Sequence, residues 1–229
     1  MSSNGGATSP LPEEVTAIRR EIERFLNTTD ASGRHPCNAK CGVYVFYDYD
    51  GEPLYVGQTK EQLRVRIRRH LTNHRTDAVA MNVLDPTEVA EVEAFAFYDL
   101  ENQAAGETAA QYRTRINETL TAAEYALYQR VIQKSVTKVI FNEKDIPTQP
   151  AFTLPEGIRG RIVPPEIYER RRHPDLRIAR RAITVANLAR VVSERDVSKG
   201  LRRTLVSQIK RLERLASLRL RQSGGSYPI

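Results

Sequence analysis

The strongest constraint on the fold of this chain lies in one stretch, residues 41–71. Two apolar and aromatic runs flank a turn at Asp50-Gly51, and strands joined through an Asp-Gly pair are typical of a β-hairpin. A basic run follows, in which an apolar residue recurs at every fourth position, at Leu63, Ile67 and Leu71. That spacing predicts a helix with one buried face. The stretch therefore predicts strand, turn, strand and helix.

The hairpin also carries a motif that resembles a known family. Gly42-Val43-Tyr44 and Tyr55-Val56-Gly57 are similar to the paired tripeptides of the GIY-YIG nuclease superfamily, with Val in place of each Ile. Either tripeptide alone is common by chance. Further matches follow in the order that the family shows, at Lys60, Arg66, His70, Glu124 and Asn142. The resemblance covers about residues 41–142, under half of the chain.

The pattern as a whole predicts an α+β fold, with a small antiparallel sheet that has a three-stranded core and helices around it. An amphipathic helix is predicted over 12–27, a third strand over 89–98 and an edge strand over 136–141. We expect four parts, in chain order: a disordered tail and helical arm (1–40), the GIY-YIG module (41–145), a proline-rich linker or wrapping arm (146–182) and a basic helical extension (183–229).

Charge is distributed unevenly along the 229 residues, whose net charge is +7. Residues 156–229 hold 18 Lys or Arg against 7 Asp or Glu, a net of +11, whereas the rest of the chain is mildly acidic. Such a segment suggests a polyanionic partner, and a solvated arginine-rich helical surface is the alternative. No apolar run reaches the ~18 residues of a membrane span, and we expect a cytoplasmic protein.

The two cysteines, Cys37 and Cys41, lie near His35 in a spacing similar to half of a zinc site. A structural zinc needs four ligands, usually as two pairs, and the chain has no second cysteine pair. We therefore predict two free thiols.

The resemblance implies a catalytic role for the hairpin tyrosines. Tyr44 is the expected general base, and Tyr55 is expected to orient the attacking water or the phosphate. A free phenol has a pKa of ~10, so we expect the pKa of Tyr44 to be lowered by Lys60, an imidazole or a metal-bound water. His70, one helical turn after Arg66, is expected to assist Tyr44 or to bind the scissile phosphate.

The resemblance implies separate roles for the remaining matches in binding the phosphate, binding the metal and fixing the geometry of the site. An arginine is expected to hold the scissile phosphate, because its planar fork fits two phosphoryl oxygens. Arg66 is the best candidate among the arginines of this helix, because His70 follows it four residues later and it lies in phase with the family's arginine. Glu124 is expected to hold a single Mg²⁺, completed by waters and phosphate oxygens. Asn142 is expected to fix the geometry of the site.

Each match has a structural alternative. Tyr44 and Tyr55 are ordinary strand residues by propensity, and Arg66 with His70 also fits a solvated helix face. Glu124 has a specific rival role, because Thr121-x-x-Glu124 has the spacing of a helix capping box. A glutamate folded back onto a cap cannot also reach a metal.

Beyond the module, helices are predicted over 183–192 and 201–220, with a leucine-rich stripe in the second. The pair fits a helix-turn-helix and, equally, an antiparallel pair for dimerisation. The predicted DNA contacts are basic side chains of the helix after the hairpin, of the segment after it and of the C-terminal extension: Arg64, Arg68, Arg69, His74, Arg75, Arg202, Arg203 and Arg211.

The resemblance implies a Mg²⁺-dependent endodeoxyribonuclease that leaves 5′-phosphate ends. Among the branches of the superfamily, the chain is most similar to Type II restriction endonucleases, which suggests a homodimer that cuts double-stranded DNA at a short palindrome. A separately encoded DNA methyltransferase would then be a partner. The alternatives are a phage or mobile-element homing or nicking endonuclease, and a non-catalytic DNA-binding protein with a degenerate module.

Overall fold

The computed structural model describes residues 11–72, 82–142 and 146–225, and it confirms the α+β class. Its centre is one antiparallel four-stranded sheet with the strand order β2-β1-β3-β4. The strands are β1 (Gly42–Tyr47), β2 (Pro53–Thr59), β3 (Glu91–Ala96) and β4 (Ile158–Arg161).

Helices cover both faces of this sheet. In the described part of the chain they are α1 (Glu13–Leu26), α2 (Leu63–Thr72), α3 (Ala109–Lys134), α4 (Pro165–Arg171), α5 (Pro174–Glu194) and α6 (Lys199–Gln222). None of these described helices combines the length and the apolar character that crossing a membrane requires.

The hairpin forms as the sequence predicts, with Tyr44 of β1 opposite Gly57 of β2. Asp48 shapes its turn, because its Oδ1 atom accepts hydrogen bonds from the backbone N–H groups of Asp50 (2.9 Å) and Glu52 (3.0 Å). Gly51 adopts the left-handed conformation at φ 73°, which glycine tolerates at little cost. Local side-chain chemistry therefore fixes the turn.

Alternation along β1 separates two hydrophobic clusters. Tyr44 and Phe46 face α1, α2 and the C-terminal helices, whereas Val43 and Val45 face α3. Because successive side chains of a strand point to opposite sides, one buried strand supports both layers. The hairpin is thus the centre of a three-layer arrangement.

The prediction of an edge strand over 136–141 was wrong. That segment forms no strand, although its last residue, Phe141, donates a backbone hydrogen bond to the carbonyl of Leu54 on β2 (2.8 Å). The β-branched composition of the segment indicated a strand, but only its end reaches the open edge of β2.

The prediction of a linker or wrapping arm over 146–182 was also wrong from residue 158 onward. This segment supplies β4, helix α4 and the first turns of α5. Gly160 of β4 lies so close to α1 that a β-carbon there would come within 2.9 Å of the Phe25 ring. A strand that contains glycine and two arginines has no apolar alternation from which to predict it.

The C-terminal helices pack onto the module through buried charge. Arg177 and Arg181 of α5 and Arg211 of α6 surround Asp48, with Arg181 Nη2 2.7 Å and Arg177 Nη2 3.1 Å from its Oδ2 atom. Glu88 joins the same cluster through Arg181 Nε at 3.1 Å. The prediction that Arg211 binds DNA was therefore wrong, because only 1% of the residue is exposed and its Nη1 atom donates to the carbonyl of Pro53.

Cys37 and Cys41 are both buried with free thiols. Burial raises the pKa of the Cys37 thiol to about 12, so this side chain is inert at neutral pH.

Candidate active site

The site is built around Gly57, where the phenol of Tyr44 crosses the neighbouring strand. A β-carbon on Gly57 would lie 2.6 Å from the Tyr44 hydroxyl and 2.9 Å from the Tyr55 ring. Because these distances are shorter than any ordinary contact, only glycine lets the Tyr44 ring lie across β2. The hydroxyl thereby lies against the backbone of Gly57.

Tyr44 is completely buried, and this corrects one expectation. Burial raises the pKa of the Tyr44 phenol well above its usual range, the neighbouring Tyr55 adds to the rise, and Arg66 acts in the opposite direction. The expected lowering of the pKa is therefore absent in the free protein, and Tyr44 is a neutral phenol at pH 7.

His70 packs against the rings of Tyr44 and Tyr55, within an aromatic cluster that also includes Phe46. Its ring centroid is 5.9 Å from that of Tyr44 and 5.3 Å from that of Tyr55. Burial lowers the pKa of His70 to about 3, and the charges of Arg66 and Arg69 contribute to the shift. Neither ring nitrogen has a hydrogen-bond partner among the described residues. His70 is thus a neutral imidazole packed beside the catalytic candidate.

Arg66 contacts the Tyr44 hydroxyl through a long hydrogen bond of 3.4 Å from its Nε atom. The other predicted arginines of α2 have protein partners. Arg64 donates to the side chains of Asn38 (2.7 Å) and Asn27 (2.9 Å), Arg68 pairs with Glu23 (2.6 Å) and Arg69 pairs with Glu61. Arg66 is therefore the arginine of this helix that faces Tyr44.

Glu124 lies in the interior of α3, and the alternative of a capping box with Thr121 was wrong. Helix α3 begins earlier, where Thr108 and Gln111 form the actual capping box. The Thr121 hydroxyl instead donates to the carbonyl of Asn117 at 2.7 Å. The Glu124 carboxylate is consequently not occupied by a helix cap.

Gln58 is a site residue that the sequence reasoning missed. It follows Gly57 on β2, and its Nε2 atom donates to Oε2 of Glu124 at 3.0 Å. Burial raises the pKa of Glu124 to about 6, and the hydrogen bond from Gln58 opposes that rise. Strand alternation was the available signal, because it places Gln58 on the same face as Val56, toward α3.

A cleft of about 630 Å³ opens beside these groups. It is lined by residues from the end of β2, from α2 and from the middle of α3: Gln58, Thr59, Lys60, Glu61, Arg66, Asn117 and Thr121. Arg66 connects the cleft to Tyr44, and Gln58 connects it to Glu124. Lys60, predicted as a supporting residue, is exposed at its rim.

Asn142 braces the hairpin from its open edge. Its Oδ1 atom accepts from the backbone N–H of Val56 (3.2 Å), and its Nδ2 atom donates to the carbonyl of the same residue (2.8 Å). The side chain thereby replaces one residue of a neighbouring strand, immediately beside Gly57. Both polar atoms of the amide take part in this contact, which holds β2 in place.

The predicted DNA contacts of the C-terminal extension are divided between surface and interior. Arg202 and Arg203 are exposed on α6, unlike the buried Arg211. His74 and Arg75 lie outside the described residues.

The chemistry of Glu124 suits one divalent cation. Within the described residues no group of three or more His, Cys, Asp or Glu side chains is placed to hold a metal. Glu124 is a largely buried carboxylate with a neutral hydrogen-bond donor beside it, and a cation would offset the charge that burial disfavours. A Mg²⁺ ion that keeps most of its waters needs only such a carboxylate and the substrate phosphate.

Residues 40–117 match the family model of the GIY-YIG catalytic domain. This segment includes both tripeptides, Arg66 and His70, and it ends before Glu124 and Asn142. The match supports a domain of the GIY-YIG nuclease superfamily within this chain. No curated protein and no solved structure matches the chain.

Proposed function

We propose that this chain is a Mg²⁺-dependent DNA endonuclease that hydrolyses phosphodiester bonds and leaves 5′-phosphate ends. The observation that carries the proposal is the gathering of Tyr44, Arg66 and Glu124 around one end of β2. They come from a strand and two helices, and Gly57 and Gln58 bring them together. The match to the GIY-YIG catalytic domain supports the same class of activity.

Arg66 is the proposed ligand of the scissile phosphate. Its guanidinium lines the cleft, it has no carboxylate partner among the described residues, and it already contacts the Tyr44 hydroxyl. Two parallel N–H donors fit two phosphoryl oxygens, so the fork both binds and orients the group. Bound there, the phosphate would lie beside Tyr44.

Tyr44 is the proposed general base. As a neutral phenol it must first give up its own proton to solvent water in the cleft, and only the resulting phenolate can take a proton from the attacking water. Arg66 favours that phenolate through its charge. Substrate binding excludes bulk solvent and strengthens that interaction. Tyr55 is proposed to orient the water or the phosphate, and neutral His70 to assist Tyr44 by holding its ring in place.

Glu124 is the proposed ligand of the single Mg²⁺. When bound, Mg²⁺ would offset negative charge on the phosphate and on the leaving 3′ oxygen. Asn142 is proposed to maintain the geometry of β2 on which Tyr55, Gly57 and Gln58 stand.

A Type II restriction endonuclease acting as a homodimer is the proposed biological role. Two-fold protein symmetry matches a palindromic site, and exposed apolar residues on the C-terminal helices offer a surface for dimerisation. Leu176 and Ile183 of α5 are 51% and 60% exposed, and Ile209 of α6 is 46% exposed. A separately encoded DNA methyltransferase is the corresponding partner.

One side of α6 is the proposed contact with the DNA backbone. Lys199, Lys210 and Arg221 recur at intervals of eleven residues, which is about three helical turns, and Arg214 lies near the same line. All four are exposed, and no described residue pairs with their side chains. They span about 33 Å of helix, close to one turn of duplex DNA.

The test is incubation of the purified protein with unmethylated plasmid and with a bacteriophage genome, in Mg²⁺ and in EDTA. Discrete metal-dependent fragments that the Glu124→Ala protein does not produce would support a restriction endonuclease. Nicked circles or a smear would favour the homing or nicking alternative. DNA binding without cleavage across several metals would leave a non-catalytic DNA-binding protein.

A further inference from the structure

We propose that Gln58 is a positioning residue that fixes the Glu124 carboxylate for metal binding, an inference that rests on the proposed function. Gln58 is paired with Val43 in the hairpin, and its side chain lies on the face that α3 covers. A side-chain hydrogen bond 3.0 Å long, from Gln58 Nε2 to Glu124 Oε2, therefore joins the hairpin to α3 beside their apolar contacts.

This hydrogen bond determines how Gln58 is oriented. Its Oε1 atom is buried and has no hydrogen-bond partner among the described residues. The opposite orientation of the amide would place a carbonyl oxygen against the Glu124 carboxylate, and two acceptors repel each other. The contact with Glu124 therefore decides the orientation of Gln58, even though it leaves one acceptor unsatisfied.

The same contact determines which part of Glu124 remains for a cation. Oε2 accepts from Gln58, and no other described side chain forms a hydrogen bond or ion pair with the carboxylate. A glutamate has three rotatable side-chain bonds, and ordering them before the metal arrives lowers the cost of binding. Hydrogen-bond partners of metal ligands commonly change metal affinity by about 10- to 100-fold.

A neutral amide suits this position better than a cation. A lysine or arginine beside Glu124 would neutralise the carboxylate and compete with Mg²⁺, whereas Gln58 donates a hydrogen bond and leaves the charge in place. Gln58 also lines the cleft next to Lys60 and Thr59, so its hydrogen bond joins the wall of the cleft to the Glu124 carboxylate. The strand that carries Tyr55 thus also positions the metal ligand.

The test compares the wild-type protein with Gln58→Met, which keeps the length of the side chain and removes the donor. Gln133→Met is the matched control, because Gln133 is an exposed glutamine on helix α3, the helix that carries Glu124, and does not line the cleft. Cleavage of bacteriophage DNA is measured over a series of Mg²⁺ concentrations. We expect Gln58→Met to raise the half-saturating Mg²⁺ concentration about 10-fold, while the rate at saturating Mg²⁺ falls less than about 3-fold.

A second readout does not depend on cleavage. Binding of Mn²⁺ is followed by the loss of the free-ion electron paramagnetic resonance signal, and we expect it to weaken about 10-fold in Gln58→Met. DNA binding in EDTA and the thermal midpoint should stay near the wild-type values, which a purely structural role would not preserve.

The outcomes separate this inference from the proposed function. A wild-type protein that cleaves, with a Gln58→Met variant whose Mg²⁺ requirement and Mn²⁺ affinity are unchanged, overturns the role of Gln58 alone. Equal losses of stability, DNA binding and activity in that variant also overturn it. A wild-type protein that cleaves no DNA at any Mg²⁺ concentration overturns the proposed function and this inference with it.

Discussion

The hydroxyl of Tyr44 lies 2.6 Å from the point where residue 57 would carry a β-carbon, so the Tyr44 side chain occupies the space that a side chain at position 57 would need. The two residues are also direct partners in the β1–β2 ladder. The proposed general base can therefore cross the edge strand only because its partner lacks a side chain.

The Gly57→Ala substitution tests this relationship. A methyl group there overlaps the buried ring of Tyr44, which is packed against Tyr55 and His70 and cannot move without repacking them. We expect a destabilisation of about 1–3 kcal/mol in urea unfolding and a loss of cleavage of at least about 100-fold. Wild-type cleavage by the alanine protein would show that Tyr44 need not occupy this position.

The Tyr44→Phe substitution isolates the hydroxyl. The ring and its packing remain, and the only hydrogen bond lost among the described contacts is the long one from Arg66. We expect stability within about 1 kcal/mol of wild type and a cleavage rate reduced by about 100- to 10,000-fold. Single-turnover cleavage measures this loss, and a rate within a few-fold of wild type would remove Tyr44 as the base.

His70 should make the stability of the protein depend on pH. Its folded-state pKa is about 3, below the ~6.5 of an unfolded histidine, so the unfolded chain binds the proton more readily. His70 therefore destabilises the fold as pH falls from about 6.5 toward 3, with a slope of up to ~1.4 kcal/mol per pH unit. Urea unfolding between pH 7 and pH 4 should show a shallower decline for His70→Phe. Parallel curves for the two proteins would contradict the burial of a neutral imidazole.

Asn142 should stabilise β2 directly. Replacement by leucine removes both hydrogen bonds to the buried backbone of Val56, and we expect a loss of about 1–3 kcal/mol. Amide hydrogen exchange at Val56, followed by NMR, should become faster. Asn102→Leu, at an exposed position, is the control and should change stability by no more than about 0.5 kcal/mol. Unchanged exchange at Val56 would refute the bracing role.

Lys210 and Arg211 are neighbours in sequence with opposite expected roles. Lys210 is exposed on the proposed DNA-binding side of α6, so Lys210→Gln should reduce the slope of log K against log salt by about 0.9 and leave stability nearly unchanged. Arg211→Gln should instead cost about 1–3 kcal/mol, because it removes the buried hydrogen bond to the carbonyl of Pro53 and one of the three guanidinium groups around Asp48. Fluorescence anisotropy in a salt series and urea unfolding measure the two effects. An unchanged slope in Lys210→Gln would exclude this side of α6 as a phosphate contact.

Local signals explain which elements the sequence predicted. The hairpin, α2 and β3 follow from short-range patterns, namely alternation, the Asp-Gly turn and a four-residue apolar repeat. The residues that form each of these patterns lie within a few positions of one another in the sequence. The predicted and observed bounds of these elements accordingly differ by only a few residues at most ends.

Distant partners explain what the sequence did not predict. Arg211 looks like any other arginine of a basic helix, and only the position of Asp48, more than 160 residues earlier, makes it a buried residue. The strand β4 pairs with β3 without any apolar alternation of its own. The spacing of Thr121 and Glu124 suggested a cap, but the stronger signal at Thr108 began the helix earlier.

The candidate site likewise contains residues that the sequence predicted and one that it did not. The resemblance singled out Tyr44, Arg66 and Glu124 from their order in the sequence, and all three side chains lie near the end of β2 in the structure. It did not indicate Gln58: strand alternation places Gln58 on one face of β2, but it does not show that Glu124 of α3 lies against that face.

The buried arginines around Asp48 and Glu88 limit how this catalytic unit can be transplanted. The segment that matches the GIY-YIG family ends inside α3, before Glu124, and the buried carboxylates of Asp48 and Glu88 within it pair with guanidinium groups from α5 and α6. An excised segment 40–117 would carry both tyrosines but would leave two acidic side chains unpaired in its own interior. In this protein, a segment excised with these ion pairs intact therefore extends well past the recognisable motif, into the last helix.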